Sequence, residues 1–298
     1  NAVLEQMKGD GMVAAPASLD SFWVREANLL PVGGPYQIQA INALNWYATD
    51  GGGDGKKVCA LIQDDPYGEA GLEGLQFAAD KLGIDIAATE RYPAPPAAAD
   101  FTAPISKLQG EGCEMVYLVA LPNITGAALG KAVELGFAPQ WIGSSPSWIG
   151  VLGASPLAPY LKEHFLVASE GVNYGDQSVP GMKELMRVKD TYAPDQVPYV
   201  YFNFGYQQGV VVTALLEKAV ELGDLSHDGI LNALNKLGKV NFNGVTGDYT
   251  YGPPEDRVPP VKSSIFKVDP AAPTGLALVE GAGGIEAPFA KEFEFKSK

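Results

Sequence analysis

Along the chain, short apolar runs alternate with stretches whose apolar residues recur every three or four positions, and that alternation predicts α/β architecture. Val58 to Gln63 (VCALIQ) reads as a strand. A loop over Asp64-Asp65-Pro66-Tyr67-Gly68 follows, then a helix with Leu72, Leu75, Ala79 and Leu82 on one face. Gly83 closes that helix, as glycine does where the chain must turn left-handed. Ile84 to Thr89, Met115 to Leu121, Trp141 to Gly143 and Phe165 to Ala168 read as further strands. Between them lie a helix carrying Phe101, Ile105 and Leu108 behind a cap at Asp100, and one carrying Ile124, Ala128, Ala132 and Leu135. The segment RYPAPPAAAD reads as a loop, because proline cannot donate to a strand ladder. One parallel sheet with helices on both faces accommodates these elements.

From about Val172 the pattern changes and helices dominate. They are expected over Val179–Asp190, over Tyr206–Leu222, and after Ser226 with Ile230, Leu234 and Leu237 inward. Outside the first sheet only Met12–Ala15 and the stretch around Gly247–Tyr251 suggest strands. The excess of helices has two readings: a helical second domain, or a sheet whose remaining strands lie outside this chain.

The chain has 298 residues, 46% of them apolar, which suggests about two domains. It carries 21 basic against 35 acidic residues, a formal charge of −14, which argues against nucleic acid or anionic lipid as the main partner. No run approaches the roughly 18 apolar residues a membrane span needs. The only histidines are His164 and His227, so multi-histidine metal sites and Ser-His-Asp schemes are disfavoured, and no cofactor is expected. Cys59 and Cys113 read most simply as two buried thiols; a disulfide becomes available if their strands are parallel neighbours, and the compartment stays open. The opening NAVLEQMKGDG shows no secretory leader.

Two motifs fail on context. GGGDGKKV at Gly51–Val58 breaks phosphate-loop spacing and precedes a strand instead of following one, so it reads as a turn. GSSPSW at Gly143–Trp148 has Ser147 where a nucleophile elbow needs glycine. More informative are four loops at strand ends: Pro16-Ala17-Ser18, Asp65-Pro66-Tyr67, Leu121-Pro122-Asn123 and Ser144 to Trp148. Open α/β sheets bind ligands at that edge, and hydroxyls with aromatic walls suit a small-molecule cleft.

Taken together, LIQDDPYGEAGLEG, DFTAPISKLQGEGCEMVYLVALP, ITGAALGKAVELGFAPQWIGSSPSW and FNGVTGDYTYGP resemble, in order and spacing, the periplasmic solute-binding proteins of branched-chain amino acid (Leu/Ile/Val-type) ABC importers. The resemblance runs roughly from Met12 to Asp269. It implies the type I fold of two Rossmann-like lobes that close on a ligand. Lobe I would comprise residues 1–35 and 174–257, and lobe II residues 36–173 and 258–298. On this reading the chain starts partway through lobe I, and a signal peptide and about three strand–helix units would precede Asn1. The expected location is periplasmic or extracytoplasmic. The partners would be a small solute and the permease subunits, with the protein a monomer.

The resemblance also transfers site positions. The family's backbone-contact alanine falls on Ala17, with Ser18 beside it, and its usual carboxylate-binding hydroxyl position is Leu19. The tyrosine of the D-x-x-x-YG segment is retained as Tyr67, and a second pocket tyrosine is Leu121 here. The acidic partner of the ligand ammonium lands on Ser145, so that charge would have to come from Asp20, Asp65 or Glu170. Leu121 and Trp148 suggest a more apolar or aromatic ligand, or an uncharged amide. A ligand-sensing domain of a receptor or amide-responsive regulator with the same fold, and an α/β hydrolase or transferase, are the competing functional readings. A lobe lacking strands would expose apolar helix faces, so weak stability and aggregation are expected of the isolated chain.

Overall fold

The computed structural model describes residues 3–94 and 100–297, so the middle of the expected proline-rich loop lies outside the described residues. The chain begins with helix α1 (Leu4–Gly9), a short 3₁₀ turn and α2 (Tyr36–Thr49). Alternating units follow: β1 (Val58–Asp64), α3 (Pro66–Leu82), β2 (Ile86–Pro93), α4 (Thr102–Gly110), β3 (Met115–Val119), α5 (Pro122–Glu134), β4 (Gln140–Gly143), α6 (Ala158–His164) and β5 (Phe165–Ser169). Then come α7 (Met182–Tyr192), α8 (Val200–Leu222), α9 (His227–Asn235), β6 (Gly238–Val240), β7 (Tyr249–Tyr251), β8 (Ser264–Val268) and β9 (Leu276–Leu278).

Seven strands form one sheet in the order β2-β1-β3-β4-β5-β8-β9. The first five are mutually parallel, while β8 and β9 join antiparallel. The sheet is therefore mixed, not purely parallel as the pattern suggested. Helix α3 starts where expected because Asp65 accepts from the Tyr67 and Gly68 amides and Pro66 takes a position with no amide to satisfy. It ends at Gly83, in the left-handed region at φ 66°. Asp100 likewise accepts from the Thr102 amide.

Successive residues of β1 serve opposite faces, as strand geometry requires. Val58, Ala60 and Ile62 join a core with α2 and α3, whereas Cys59 and Leu61 join one with α4 and α5. Eleven of the fourteen residues of α2 are buried. A helix enclosed on nearly every side shows no one-sided stripe, so the pattern along the sequence did not reveal it. Gly74 of α3 lets the two helices meet: a Cβ there would stand 2.2 Å from the Gln37 carbonyl oxygen.

Several expectations are corrected. Cys59 and Cys113 are not free thiols but a disulfide, with Cα atoms 5.8 Å apart. The parallel pairing of β1 with β3 brings them together. The second strand runs through Arg91, Tyr92 and Pro93, residues expected in a loop; β2 is the sheet edge, where proline is tolerated. Met12–Ala15 makes only a single bridge, Ala14 to Leu29. The long helix starts six residues early, at Val200 instead of Tyr206. The shortage of strands is also smaller than the pattern suggested, since β6, β8 and β9 went unrecognised.

A separate apolar cluster joins Leu30 and Val32 to Val211, Leu215 and Ala219 of α8, Leu234 of α9, and the β6–β7 ribbon. Beside it Arg257, 1% exposed, donates to the carbonyl oxygens of Glu26, Ala27, Leu29 and Gly252. On the adjacent flank of α8, about 100° round from the buried face, an apolar stripe faces outward, with Val212 37%, Leu216 47% and Val220 64% exposed. No helix among the described residues is long and apolar enough to cross a membrane.

Candidate functional site

At their C-terminal ends β4 and β5 deliver two short segments, Ser144 to Pro146 and Glu170, to one place. Gly143 permits the first turn, because a Cβ there would fall 2.1 Å from Ser147 Oγ. Gly33, at φ +68°, brings the chain before α2 close against the second; its Cβ would lie 2.9 Å from Glu170 Cγ. Helix α8 approaches from the far side with Val200, Tyr201 and Phe204, while Ala17 and Leu19 form the rim and Tyr36 enters from the first turn of α2. These groups enclose a cavity of about 40 Å³. A single water needs about 10–15 Å³ of such space, so this is room for a few water-sized groups.

Its walls are aromatic and braced. The Tyr201 hydroxyl donates to the Pro146 carbonyl at 2.8 Å, tying α8 to the segment after β4. Tyr36 packs edge-on to Tyr67 with centroids 4.9 Å apart. The Tyr67 hydroxyl lies 2.7 Å from Ser144 Oγ and donates to the Ala120 carbonyl. The Tyr36 hydroxyl is engaged by the Leu19 backbone and the Ser18 side chain, and burial pushes its pKa well above the usual phenol value.

Glu170 closes the floor. Burial raises its carboxyl pKa above the ordinary value, opposed by hydrogen bonds from its own amide and from the Ser145 and Ser169 hydroxyls. Ser169 Oγ stands 3.3 Å and Gln39 Nε2 3.4 Å from its Oε2. Gln39 also accepts from the Ser145 amide through Oε1, which fixes the loop to α2. Among the described residues no ion pair involves Glu170.

Of the residues singled out by sequence, Ala17, Leu19, Ser145 and Glu170 line this cavity. Ser18 and Tyr67 stand one layer back, each against Tyr36. Asp65 does not reach it: it caps α3 and borders a separate acidic hollow of about 620 Å³ with Asp20, Asp64, Glu69 and Glu73. Leu121 precedes α5 as its N-cap and is not among the lining residues. Trp148 lies behind Ser145 in the core, 2% exposed, donating to the Thr274 carbonyl and stacked on Phe165. Pro146 lies in the Ser144–Trp148 loop that the sequence singled out, whereas Tyr36, Val200, Tyr201 and Phe204 were missed. Tyr36 was hidden with its enclosed helix, and the others lie in the N-terminal extension of α8 that was not foreseen.

Elsewhere, a hollow of about 970 Å³ runs beside α8 and includes Tyr192, Tyr206, Val210 and Leu237. It is larger but lacks a buried charged group. His164 ends α6 and His227 hydrogen-bonds the Asp10 carbonyl, so neither reaches the serines after β4. Among the described residues no group of three or more His, Cys, Asp or Glu side chains could hold a metal.

The sequence profile of the family described as "periplasmic binding protein" matches residues 1–273. No curated protein sequence matches the chain. Among solved structures, a fatty acid ABC transporter substrate-binding protein from Thermomonospora curvata is similar at TM-score 0.87 and 24% identity, covering 99% of this chain and 74% of that one. A branched chain amino acid ABC transporter structure from Thermus thermophilus with bound valine matches at 0.77 and 17% identity, over 98% and 76% of the two chains. A leucine binding protein from Thermotoga maritima MSB8 matches at 0.73 and 16%, over 93% and 75%.

Proposed function

Because the chain belongs to the periplasmic binding protein family, we propose that it is the extracytoplasmic solute-binding component of an ABC importer. It would hold a small amino-acid-like or amide/carboxylate solute between two lobes and present it to permease subunits in the membrane. Lobe I is assigned residues 1–35 and 174–257, and lobe II residues 36–173 and 258–298. One observation carries the reading: the cavity takes walls from both assignments. Leu19, Tyr201 and Phe204 come from one, and Tyr36, Ser145 and Glu170 from the other. A guest touching both sets favours the arrangement in which they are together, which is the physical content of closure on a ligand.

The similar structures are named for a fatty acid, bound valine and leucine, so an apolar portion on the solute accords with Leu19, Val200 and Phe204 in the walls. The Cys59–Cys113 disulfide accords with an oxidising compartment. Catalysis plays no part in this reading, since the solute leaves unchanged.

The test combines a calorimetric screen of amino acids, amides and short carboxylic acids with small-angle scattering on each hit. Binding with a reduced radius of gyration and the solute recovered intact by mass spectrometry is the expected result. A hit that is chemically converted, or one that leaves the scattering curve unchanged, would overturn it.

A further inference from the structure

The 3₁₀ turn at Ala290–Glu292 is anchored on α3, where Glu292 pairs with Lys81 and the Phe293 ring meets Phe77 edge-on at 5.3 Å. From that anchor the chain runs on to Arg25, in the segment assigned to lobe I. Arg25 Nε donates to the Phe295 carbonyl at 3.2 Å, and its guanidinium carbon stands 5.8 Å from the centre of the Phe295 ring. A cation over an aromatic ring is attracted by the ring's negative face. Arg25 is itself held within lobe I, because Nη1 donates to the carbonyls of Pro254 and Arg257. Residues 293–297 therefore reach from one lobe to the other and touch the second only through non-covalent contacts.

The same segment reaches the acidic hollow of about 620 Å³, where Lys296 is the one basic side chain among the described residues that line it. This hollow adjoins the solute cleft: Leu19 and Tyr36 line the cleft, while their chain neighbours Asp20 and Gln37 line the hollow. It also draws on both lobes, with Asp20 from lobe I and Asp64, Asp65 and Glu73 from lobe II. Gln37 Nε2 donates to Asp20 Oδ1 at 3.2 Å and to Glu73 Oε2 at 3.0 Å, so one neutral amide mediates between two acids. Gathering like charges costs free energy that a cation offsets and that salt screens.

We propose that residues 293–297 form a strap that holds the two lobes together: the Phe295 ring against Arg25 supplies the grip, and the Lys296 ammonium offsets the carboxylates that closure gathers. This rests on the two-lobed solute-binding reading above and adds to it a brake on opening. Part of the free energy of closure then comes from the chain itself and not from the solute. The solute-free protein is more often closed than its covalent crossings alone dictate.

Small-angle scattering on the solute-free full chain tests it, at about 10 mM and about 1 M sodium chloride, where the screening length falls from about 30 to about 3 Å. Phe295→Ala is expected to raise the radius of gyration above the parent's at both salts. Lys296→Gln is expected to raise it at low salt, with most of the increase gone at high salt. Phe295→Tyr, which keeps the ring, should match the parent. Phe295 is half-buried and Lys296 exposed, so these changes leave the core in place. Variants as compact as the parent at both salts overturn the strap. So does an expansion that Phe295→Tyr shares, or one accompanied by loss of helical circular dichroism. A Lys296→Gln increase that persists at high salt overturns the electrostatic part. The solute-binding reading is judged separately, by the screen on the parent. A parent that closes on a solute there, while every variant here stays compact, refutes the strap alone. A parent that closes on nothing there, while Phe295→Ala and Lys296→Gln expand here as expected, refutes solute binding and leaves the strap standing.

Discussion

Glu170 shows how one buried carboxyl shapes stability. Its pKa is raised on folding, so the native state holds the proton more firmly than the unfolded chain does. Stability from this group is therefore full below the ordinary carboxylate range and declines as pH rises through the window up to the folded value. Glu170→Gln should melt higher than the parent above that window and lose the advantage near pH 4, measured by thermal unfolding across a pH series. Arg257 has the opposite character. Its guanidinium satisfies four backbone carbonyls, so Arg257→Leu should cost about 3 kcal/mol or more in a urea titration. Neither role was fully legible in the sequence. Glu170 stood out only as one of three charge partners, with Asp20 and Asp65, that the resemblance called for, and nothing near Arg257 in the chain announces the carbonyls it gathers from residues 26–29.

Among the elements, those with a one-sided apolar stripe or a short continuous run were recovered: β1, α3, α4, β3 and α5 all lie close to where the pattern places them. The failures have physical causes. Helix α2 is enclosed and shows no stripe, while β8 and β9 follow a proline-rich approach and are five and three residues long. The α2–α3 contact depends on glycine. In an open helix Gly74→Ala would help by about 0.5–1 kcal/mol, but here the new methyl would collide with Gln37 backbone, so a loss of about 1–3 kcal/mol is expected in thermal melts. The disulfide spans a sequence separation of 54 residues. Chain-entropy arguments for a loop of that size give a stabilisation of about 4 kcal/mol, to be checked by comparing the Cys59→Ala/Cys113→Ala variant with the parent in denaturant.

At the scale of the molecule, the outward stripe of Val212, Leu216 and Val220 lies on one face of α8 at intervals of four. Contiguous apolar surface of this kind promotes association. Leu216→Lys with Val220→Lys should shift light-scattering profiles from concentration-dependent assemblies toward a single species without altering solute titration, since neither residue lines the cleft. The broad plan of one large sheet and a helix-rich remainder was readable from the sequence. The convergence of four segments on Glu170 was not, because it depends on long-range packing that no local pattern encodes.

The two sulfurs of the Cys59–Cys113 bond are walled in, at 0% and 5% residue exposure, and the chain has no other cysteine. Material made in a reducing cytosol would hence carry a shielded thiol pair that an alkylating reagent meets only when that part of the sheet opens. The labelling rate becomes a stopwatch for local opening against a silent background. A cleft occupant that slows the reagent would reveal that events beyond the tips of β4 and β5 are felt at the opposite edge of β1 and β3 in the same sheet.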